Sequence, residues 1–198
     1  MNCLKCTTGR CSDCEHTKPF REESLKIYKT SESSKIHSVA ADVEVSYHSR
    51  LTRLEELIMF AEKIGYKRIG IAYCGGLTIE ARTASKIIVL RGFQISSAMC
   101  GVCGLDRKEL GIKSFRADGT GPICNPVGQA LALNSDNTEL NIIVGLCVGH
   151  DILFTQYSKA PVSTFIVKDR VLGHNPVQAV YSKYVTNQVV MRMKKNNS

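Results

Sequence analysis

The sequence has no tryptophan, only five prolines among 198 residues, and no apolar run near the roughly 18 residues that a membrane-spanning helix needs. Its start, MNCLKC, also lacks the apolar segment and small-residue cleavage site of a secretion signal. We therefore expect a cytoplasmic protein with no membrane partner. The glycine patterns G-x-x-x-x-G-K-S/T and G-x-G-x-x-G are missing as well, so evidence for a phosphate-binding loop is weak.

Basic side chains outnumber acidic ones by 26 to 18, which gives a formal net charge of +8. Four cysteines that bind one divalent metal ion as thiolates add four negative and two positive charges, so one such site would lower the net charge to +6 and two would lower it to +4. The remaining excess is spread along the chain, without the aromatic platform or recognition motif of a nucleic-acid-binding protein. We therefore do not expect a nucleic-acid partner, and the sequence leaves the oligomeric state open.

Cysteine is abundant, with nine in the chain. In a reducing cytosol, cysteines in C-x-x-C pairs indicate metal binding or thiol chemistry rather than disulfides. Two such pairs, separated by four residues, lie in a segment too polar to bury thiols in a core: Cys3, Cys6, Cys11 and Cys14. We predict that these thiolates bind zinc or an iron–sulfur cluster, and the sequence does not choose between the two. The short spacing leaves His16 as a substitute ligand.

The composition of the chain predicts two parts. Residues 1–37 would be the cysteine-rich metal-binding segment followed by a polar linker over 18–37, and residues 38–198 would be an α/β domain. The domain opens with a predicted helix over about 41–64, in which apolar residues recur at three- and four-residue spacing.

Strands and helices are predicted to alternate after this helix. Apolar runs bounded by glycine or proline predict four strands, at 67–73, 93–99, 142–146 and 162–167. Capping residues and proline predict the helix starts, at Thr78, Asn125-Pro126, His150 and Asn175-Pro176. We therefore predict a Rossmann-like, doubly wound and mostly parallel sheet with helices on both faces.

The internal cysteines all fall at junctions between predicted strands and helices, which the topology collects at the carboxyl edge of the sheet. Together with His174, they predict a cofactor pocket lined by Cys74, Cys100, Cys103, Cys124 and Cys147. Four of them form a candidate ligand set for zinc or an iron–sulfur cluster: Cys100, Cys103, Cys124 and Cys147. Cys74 remains either an alternative ligand or a free reactive thiol.

Catalysis is open from the sequence alone, and whether the chain is an enzyme is undecided. Thiolates near helix N-termini have lowered pKa values, which makes Cys74 and Cys147 candidate nucleophiles, with His150 as a candidate partner. Gly75 and Gly76 would let backbone N–H groups approach a small anionic ligand.

Two long strings of the second half carry a resemblance, ICNPVGQALALN and LNIIVGLCVGHDILFTQYSKAPVSTFIVKDRVLGHNPVQAVYS. They resemble a family of bacterial and archaeal proteins known as domain of unknown function 1847 (DUF1847). The resemblance extends over nearly the whole chain. It implies a cysteine-rich, predicted metal-binding protein and assigns no reaction or substrate.

The main hypothesis is therefore a metal-binding protein of unknown role, with zinc or an iron–sulfur cluster and a cysteine-rich pocket suited to redox chemistry or electron transfer. One alternative is an enzyme with a cysteine nucleophile, Cys74 or Cys147, that acts on a small anionic substrate. Another is a zinc-knuckle module that binds a protein or nucleic-acid partner.

Overall fold

The structure, a computed structural model, describes residues 2–7, 9, 11–29 and 31–195. The chain forms two compact units, Met1–Ile64 and Gly65–Ser198. The described residues of the first unit form two 3-10 turns and three helices: Cys3–Lys5, Cys11–Asp13, α1 Lys18–Tyr28, α2 Ser31–Tyr47 and α3 Arg53–Ile64.

The polar segment 18–37, which its composition predicts as a linker, contains α1 and the first part of α2. Pro19 lies in the first turn of α1, where a missing backbone N–H costs nothing. The Tyr28 ring meets the His37 ring of α2 edge-on, with centroids 4.4 Å apart. Packing between helices therefore stabilises a segment whose composition favours a loop.

The predicted helix over 41–64 is two helices separated by residues 48–52. Ser49 has a φ of 55°, which ends the helical path after α2. Thr52 and Glu55 then form a capping box at the start of α3. The Glu55 amide donates to Thr52 Oγ1 at 3.4 Å, and the Thr52 amide donates to Glu55 Oε2 at 2.7 Å.

The second unit contains a four-stranded parallel sheet in the order β2-β1-β3-β4, which confirms the α/β prediction. The strands are β1 Arg68–Tyr73, β2 Gln94–Met99, β3 Leu140–Val144 and β4 Val162–Ile166. The helices are α4 Thr78–Leu90, α5 Pro126–Ser135, α6 His150–Tyr157, α7 Gln178–Tyr181 and α8 Lys183–Lys195. No helix in the described part of the chain is both long and apolar enough to cross a membrane.

Strand order makes the sheet doubly wound. The connection through α4 leads from β1 to β2 on one side, and the connection through α5 returns past β1 to β3 on the other. Because parallel crossovers are right-handed, α4 and α5 cover opposite faces. One hydrophobic core lies where α5 and α6 pack together over the sheet: Ala72, Ala98, Ala130, Leu133, Ile143, Leu146 and Phe154.

One predicted helix start is confirmed in position and another is wrong in detail. The helix α4 begins at Thr78 as predicted, but its N-cap residue is Leu77 at the end of the 3-10 turn Gly75–Leu77, and the Thr78 hydroxyl donates to the Gly75 carbonyl at 2.7 Å. The helix predicted to begin at Asn175-Pro176 begins at Gln178, and α8 follows after a break at Ser182. The Asn125-Pro126 start is confirmed, because the Asn125 side chain accepts a hydrogen bond from the Gly128 amide at 2.8 Å.

Candidate functional site at the carboxyl edge of the sheet

Four cysteines of the second unit lie around the ends of the parallel strands. Cys74 directly follows β1, Cys100 directly follows β2, and Cys147 lies three residues beyond β3. Cys124 lies two residues before α5. The connection that leaves β1 and the connection that enters β3 run in opposite directions, so the winding of the sheet reverses between these two strands. Cys74 and Cys147 flank this point, where open α/β sheets bind ligands.

Cys74 is half-buried and its sulfur is surrounded by groups that favour a negative charge. Lys168 Nζ lies 3.2 Å from Cys74 Sγ. Burial raises the pKa of the Cys74 thiol, but hydrogen bonds from the Gly76 amide, Lys168 and Cys100, with the charge of Lys168, outweigh burial and hold this pKa below its usual value. The site therefore stabilises a Cys74 thiolate.

The glycines after Cys74 keep the space beside its sulfur open. A Cβ atom at Gly76 would lie 3.4 Å from Lys168 Nζ and 3.9 Å from Cys74 Sγ. The neighbouring Gly75 amide donates to Cys100 Sγ at 3.3 Å. Backbone N–H groups of this turn therefore point at sulfur atoms of two different strands, and a larger side chain at Gly76 would crowd the Cys74–Lys168 pair.

Cys100 is tied to both neighbouring segments through its backbone. Its amide donates to the Tyr73 carbonyl at 2.9 Å, and its carbonyl accepts from the Asn125 amide at 2.7 Å. Cys100 thus connects the end of β1 to the start of α5, next to Cys124.

Cys124 has the opposite electrostatic character. Burial raises the pKa of its thiol to about 11, and the nearby Cys100, Cys147 and Cys74 sulfurs add to this rise. At neutral pH, Cys124 is a neutral thiol. Three other cysteines influence the pKa of Cys124, so we treat the four together and call them the edge cluster: Cys74, Cys100, Cys124 and Cys147.

Cys147 pairs with Arg170, whose Nη2 lies 3.1 Å from Cys147 Sγ. The hydrogen bond and charge of Cys147 raise the pKa of the Arg170 guanidinium, which is fully ionised at neutral pH in any case. Arg170 and Lys168 both follow β4, so a single loop supplies a cation to each of two cysteines.

Gln129, a fully buried residue of α5, supports the strand ends beneath the edge cluster. Its Nε2 atom donates to the carbonyls of Ala98 at 2.7 Å and Tyr73 at 3.2 Å. The Ala98 carbonyl belongs to β2 and lies two residues before Cys100. The Tyr73 carbonyl belongs to β1 and lies one residue before Cys74. Gln129 therefore holds the two strand ends at a fixed separation.

The other predicted site residues lie in different surroundings. Cys103 is exposed on a 3-10 turn with a φ of 68° and is not among the groups that shift the pKa of Cys74 or of Cys124. His150 begins α6, where its amide donates to the Cys147 carbonyl at 2.9 Å. His174 Nδ1 accepts from the Asp169 amide at 3.1 Å. The Asp151 carboxylate accepts from the Gly149 and Ile152 amides, so it caps its own helix.

The positions of the side chains show whether three or more potential ligands are arranged around a common point. Among the residues that the structure describes, no three histidine, cysteine, aspartate or glutamate side chains are arranged to hold a metal ion. The thiol-rich composition of the edge cluster suits zinc or an iron–sulfur cluster chemically, but in this structure two of its thiols, Cys74 and Cys147, each contact a cation.

The N-terminal cysteines belong to the first unit and share one cavity. This cavity has a volume of about 410 Å³ and is lined by side chains that include Cys3, Cys6, Cys11, Cys14 and His16. The four cysteines therefore line a common space, although no described side chains there form a group that could hold a metal ion.

Two residues that matter for this geometry are not predicted from the sequence. Lys168 carries a recognisable signal, because it follows the β4 run in VKDR and so lies at the same edge as the cysteines. Gln129 carries none, because a glutamine inside a helix is ordinarily exposed and only the packing of α5 on the sheet buries it.

Comparisons with known proteins agree with the sequence resemblance. A family model described as "Protein of unknown function (DUF1847)" matches residues 11–165. The chain is also 45% identical over 193 residues to the uncharacterized protein MJ0455 of Methanocaldococcus jannaschii, an alignment that covers 96% of this chain and 98% of that protein. No solved structure matches the chain. Since the family match spans more than half of the sequence and includes every cysteine of the edge cluster, the chain belongs to the DUF1847 family.

Proposed function

We propose that the protein is an enzyme in which Cys74 attacks a small anionic substrate as a thiolate. The observation that carries this proposal is the distance of 3.2 Å between Lys168 Nζ and Cys74 Sγ at the carboxyl end of β1. A thiolate is the nucleophilic form of cysteine, and a neighbouring ammonium group favours that form at neutral pH.

The charge around the edge cluster supports an anionic substrate. Lys168 and Arg170 bring two positive charges to one loop, and the amides of Gly75 and Gly76 face sulfur atoms at the start of the α4 connection. Cations and backbone N–H groups together form the kind of site that binds carboxylate or phosphate. Exposed Arg170 would bind the substrate while Lys168 stabilises the nucleophile.

Brief treatment with iodoacetamide at neutral pH, followed by peptide mass spectrometry, tests the nucleophile. Cys103 is the internal reference, because it is exposed whereas Cys74 is half-buried. We expect Cys74 to be labelled faster than Cys103, since thiolate character rather than exposure limits the reaction. Labelling of Cys103 at an equal or higher rate would remove the basis of the proposal. The Cys74→Ser variant checks the peptide assignment.

We propose a second, separate function for the N-terminal segment, which is metal binding by Cys3, Cys6, Cys11 and Cys14. The common cavity of about 410 Å³ that these side chains line supports this proposal. Thiolates in two C-x-x-C pairs suit zinc or an iron–sulfur cluster, and a reducing compartment such as the cytoplasm would keep them reduced. Whether this segment also contacts a protein or nucleic-acid partner stays a sequence prediction.

Metal analysis of protein purified without oxygen tests this second proposal. We expect stoichiometric zinc, or iron with a broad visible absorbance band, and loss of the metal in the variant with Cys3→Ser and Cys6→Ser. A Cys103→Ser variant is the matched control, because it also removes an exposed thiol. Metal that stays bound in the double variant and instead protects Cys74 from iodoacetamide would transfer the site to the edge cluster and contradict both proposals.

A further inference from the structure

We infer that Cys74 and Cys100 act as a dithiol pair that reduces a small, negatively charged disulfide. The inference rests on the proposed role of Cys74 as the nucleophile and deepens it. Cys74 would make the first attack on the disulfide, and Cys100 would resolve the resulting mixed disulfide.

Strand register places these two cysteines beside each other. Tyr73 of β1 pairs with Met99 of β2, so Cys74 and Cys100 are the next residues along adjacent parallel strands. The hydrogen bond from the Cys100 amide to the Tyr73 carbonyl at 2.9 Å continues this pairing past the strand ends. Neighbouring strands lie about 4.8 Å apart, which falls within the range of about 4.4–6.8 Å between the Cα atoms of a disulfide.

The side chains of the pair lie on the same face of the sheet. Cys74 and Cys100 occupy positions equivalent to Ala72 and Ala98, which share the core beneath α5. The amide of Gly75, the residue after Cys74, donates to Cys100 Sγ at 3.3 Å. Because alternate residues of a strand point to the same face, both sulfurs lie on the α5 side of the sheet.

Surrounding groups assign different roles to the two thiols. Cys74 Sγ is the sulfur beside the Lys168 ammonium, at 3.2 Å, whereas Cys100 Sγ accepts a hydrogen bond from the neutral Gly75 amide, at 3.3 Å. The cation favours Cys74 as the attacking thiolate. Cys124, the other neighbour of Cys100, is held as a protonated thiol at neutral pH and so competes poorly for the same mixed disulfide.

The reaction balances without a further reactant in a single turnover. The Cys74 thiolate attacks one sulfur of the substrate disulfide, forms a Cys74–substrate disulfide and releases the other half as a thiolate. Cys100 then loses its proton to solvent and attacks Cys74 Sγ, which forms the Cys74–Cys100 disulfide and releases the second half as a thiolate. Two protein thiols are oxidised and one disulfide is reduced to two thiols, and an external thiol must reduce the protein before the next turnover.

A single-turnover experiment with glutathione disulfide, an anionic disulfide, tests the pair in the reduced full-length chain. We expect two glutathione thiols released per chain and a peptide that links Cys74 to Cys100. The Cys100→Ser variant should release one glutathione and retain a glutathione adduct on Cys74. The Cys103→Ser variant, which removes an exposed cysteine outside the edge cluster, is the matched control and should behave like the unsubstituted chain.

The outcomes separate this inference from the proposed function. A stable glutathione adduct on Cys74 in the unsubstituted chain, or a Cys100–Cys124 link, would overturn the dithiol pair while the nucleophile stands. Labelling of Cys74 no faster than Cys103 by iodoacetamide would overturn the nucleophile, and the pair with it. Equal glutathione release from the Cys74→Ser variant would overturn the pair even if Cys74 is readily alkylated.

Discussion

Lys168 contacts the sulfur atom of Cys74, and its effect on the pKa of that thiol can be measured with a single substitution. The ionised form of Cys74 is also influenced by Cys100, and Cys74 in turn influences Arg170 and Cys124. Lys168 is the cation in direct contact. Removing its charge should therefore raise the pKa of Cys74 while the other groups remain in place.

We expect the Lys168→Met variant to show a severalfold lower rate of Cys74 alkylation by iodoacetamide at neutral pH. The rate rises with pH as the thiol ionises, so the midpoint of the rate–pH profile should move to higher pH. The Lys159→Met variant, which removes an exposed lysine elsewhere, is the control. An unchanged midpoint in Lys168→Met would mean that the contact does not favour the thiolate.

The raised pKa of the Cys124 thiol makes the free energy of unfolding depend on pH. Its folded-state pKa of about 11 lies above its ordinary value of 9.0, so the unfolded chain loses this proton first as the pH rises. The free energy of unfolding should therefore fall between about pH 9 and pH 11 and show no such contribution below pH 9. Allowing for partial exposure, we expect a loss of about 1 kcal/mol from this group.

Urea unfolding at a series of pH values, compared between the unsubstituted chain and the Cys124→Ala variant, checks this expectation. Lysine and tyrosine also titrate in this range, so the difference between the two curves isolates the Cys124 contribution. The Cys103→Ala variant, which removes an exposed thiol, should keep the full decline. Parallel curves for the unsubstituted chain and Cys124→Ala would contradict the burial argument.

At the scale of elements, the two Asn-Pro pairs show that one sequence pattern has two structural outcomes. Asn125 caps α5 through the Gly128 amide at 2.8 Å, whereas the helix after Asn175 begins at Gln178 with Val177 at its N-cap position. We expect Asn125→Ala to lower the free energy of unfolding by about 1 kcal/mol. Asn175→Ala, measured by the same urea titration, should have a smaller effect, and equal effects would contradict the difference in capping.

Part of the second unit is predictable from the sequence because the apolar runs of β1 and β3 are those of largely buried strands. The β3 residues are all buried, and their apolar run is visible without any tertiary information. Cys74 and Cys100 also fall directly after predicted strands, so their position at one edge follows from topology. These predictions succeed because each depends on a short stretch of chain.

Other features depend on contacts between distant residues, and local composition does not reveal them. The helix α1 packs on α2 although its sequence is polar, and the break at Ser49 depends on one left-handed backbone angle inside an otherwise continuous apolar stripe. The separation of Cys103 from the edge cluster arises from the turn Val102–Gly104, whereas the C-x-x-C spacing alone places Cys103 with Cys100. The edge of the sheet therefore follows from local sequence, whereas the exposure of Cys103 depends on the conformation of this turn.

At the scale of the whole molecule, net charge offers a test of metal loading that does not depend on activity. The chain has a formal net charge of +8, which one divalent ion on four thiolates would lower by two units. We expect metal-loaded protein to migrate more slowly towards the cathode in native electrophoresis at pH 7, where free thiols are protonated, than protein stripped by a chelator under reducing conditions. The variant with Cys3→Ser and Cys6→Ser should show no such difference, and a retained difference would contradict metal binding by the N-terminal cysteines.

The position of β4 determines whether two cations reach the edge cluster. It is an edge strand, and its pairing with β3 is interrupted by a bulge, since Ile143 pairs with Thr164 and Val144 with Ile166. Lys168 and Arg170 continue from this strand, so fraying of β4 would withdraw both counterions at once. Cys74 would then lose the cation that favours its thiolate and Cys147 would lose its hydrogen bond from Arg170 in one event, and a ligand that holds β4 in place would restore both contacts together.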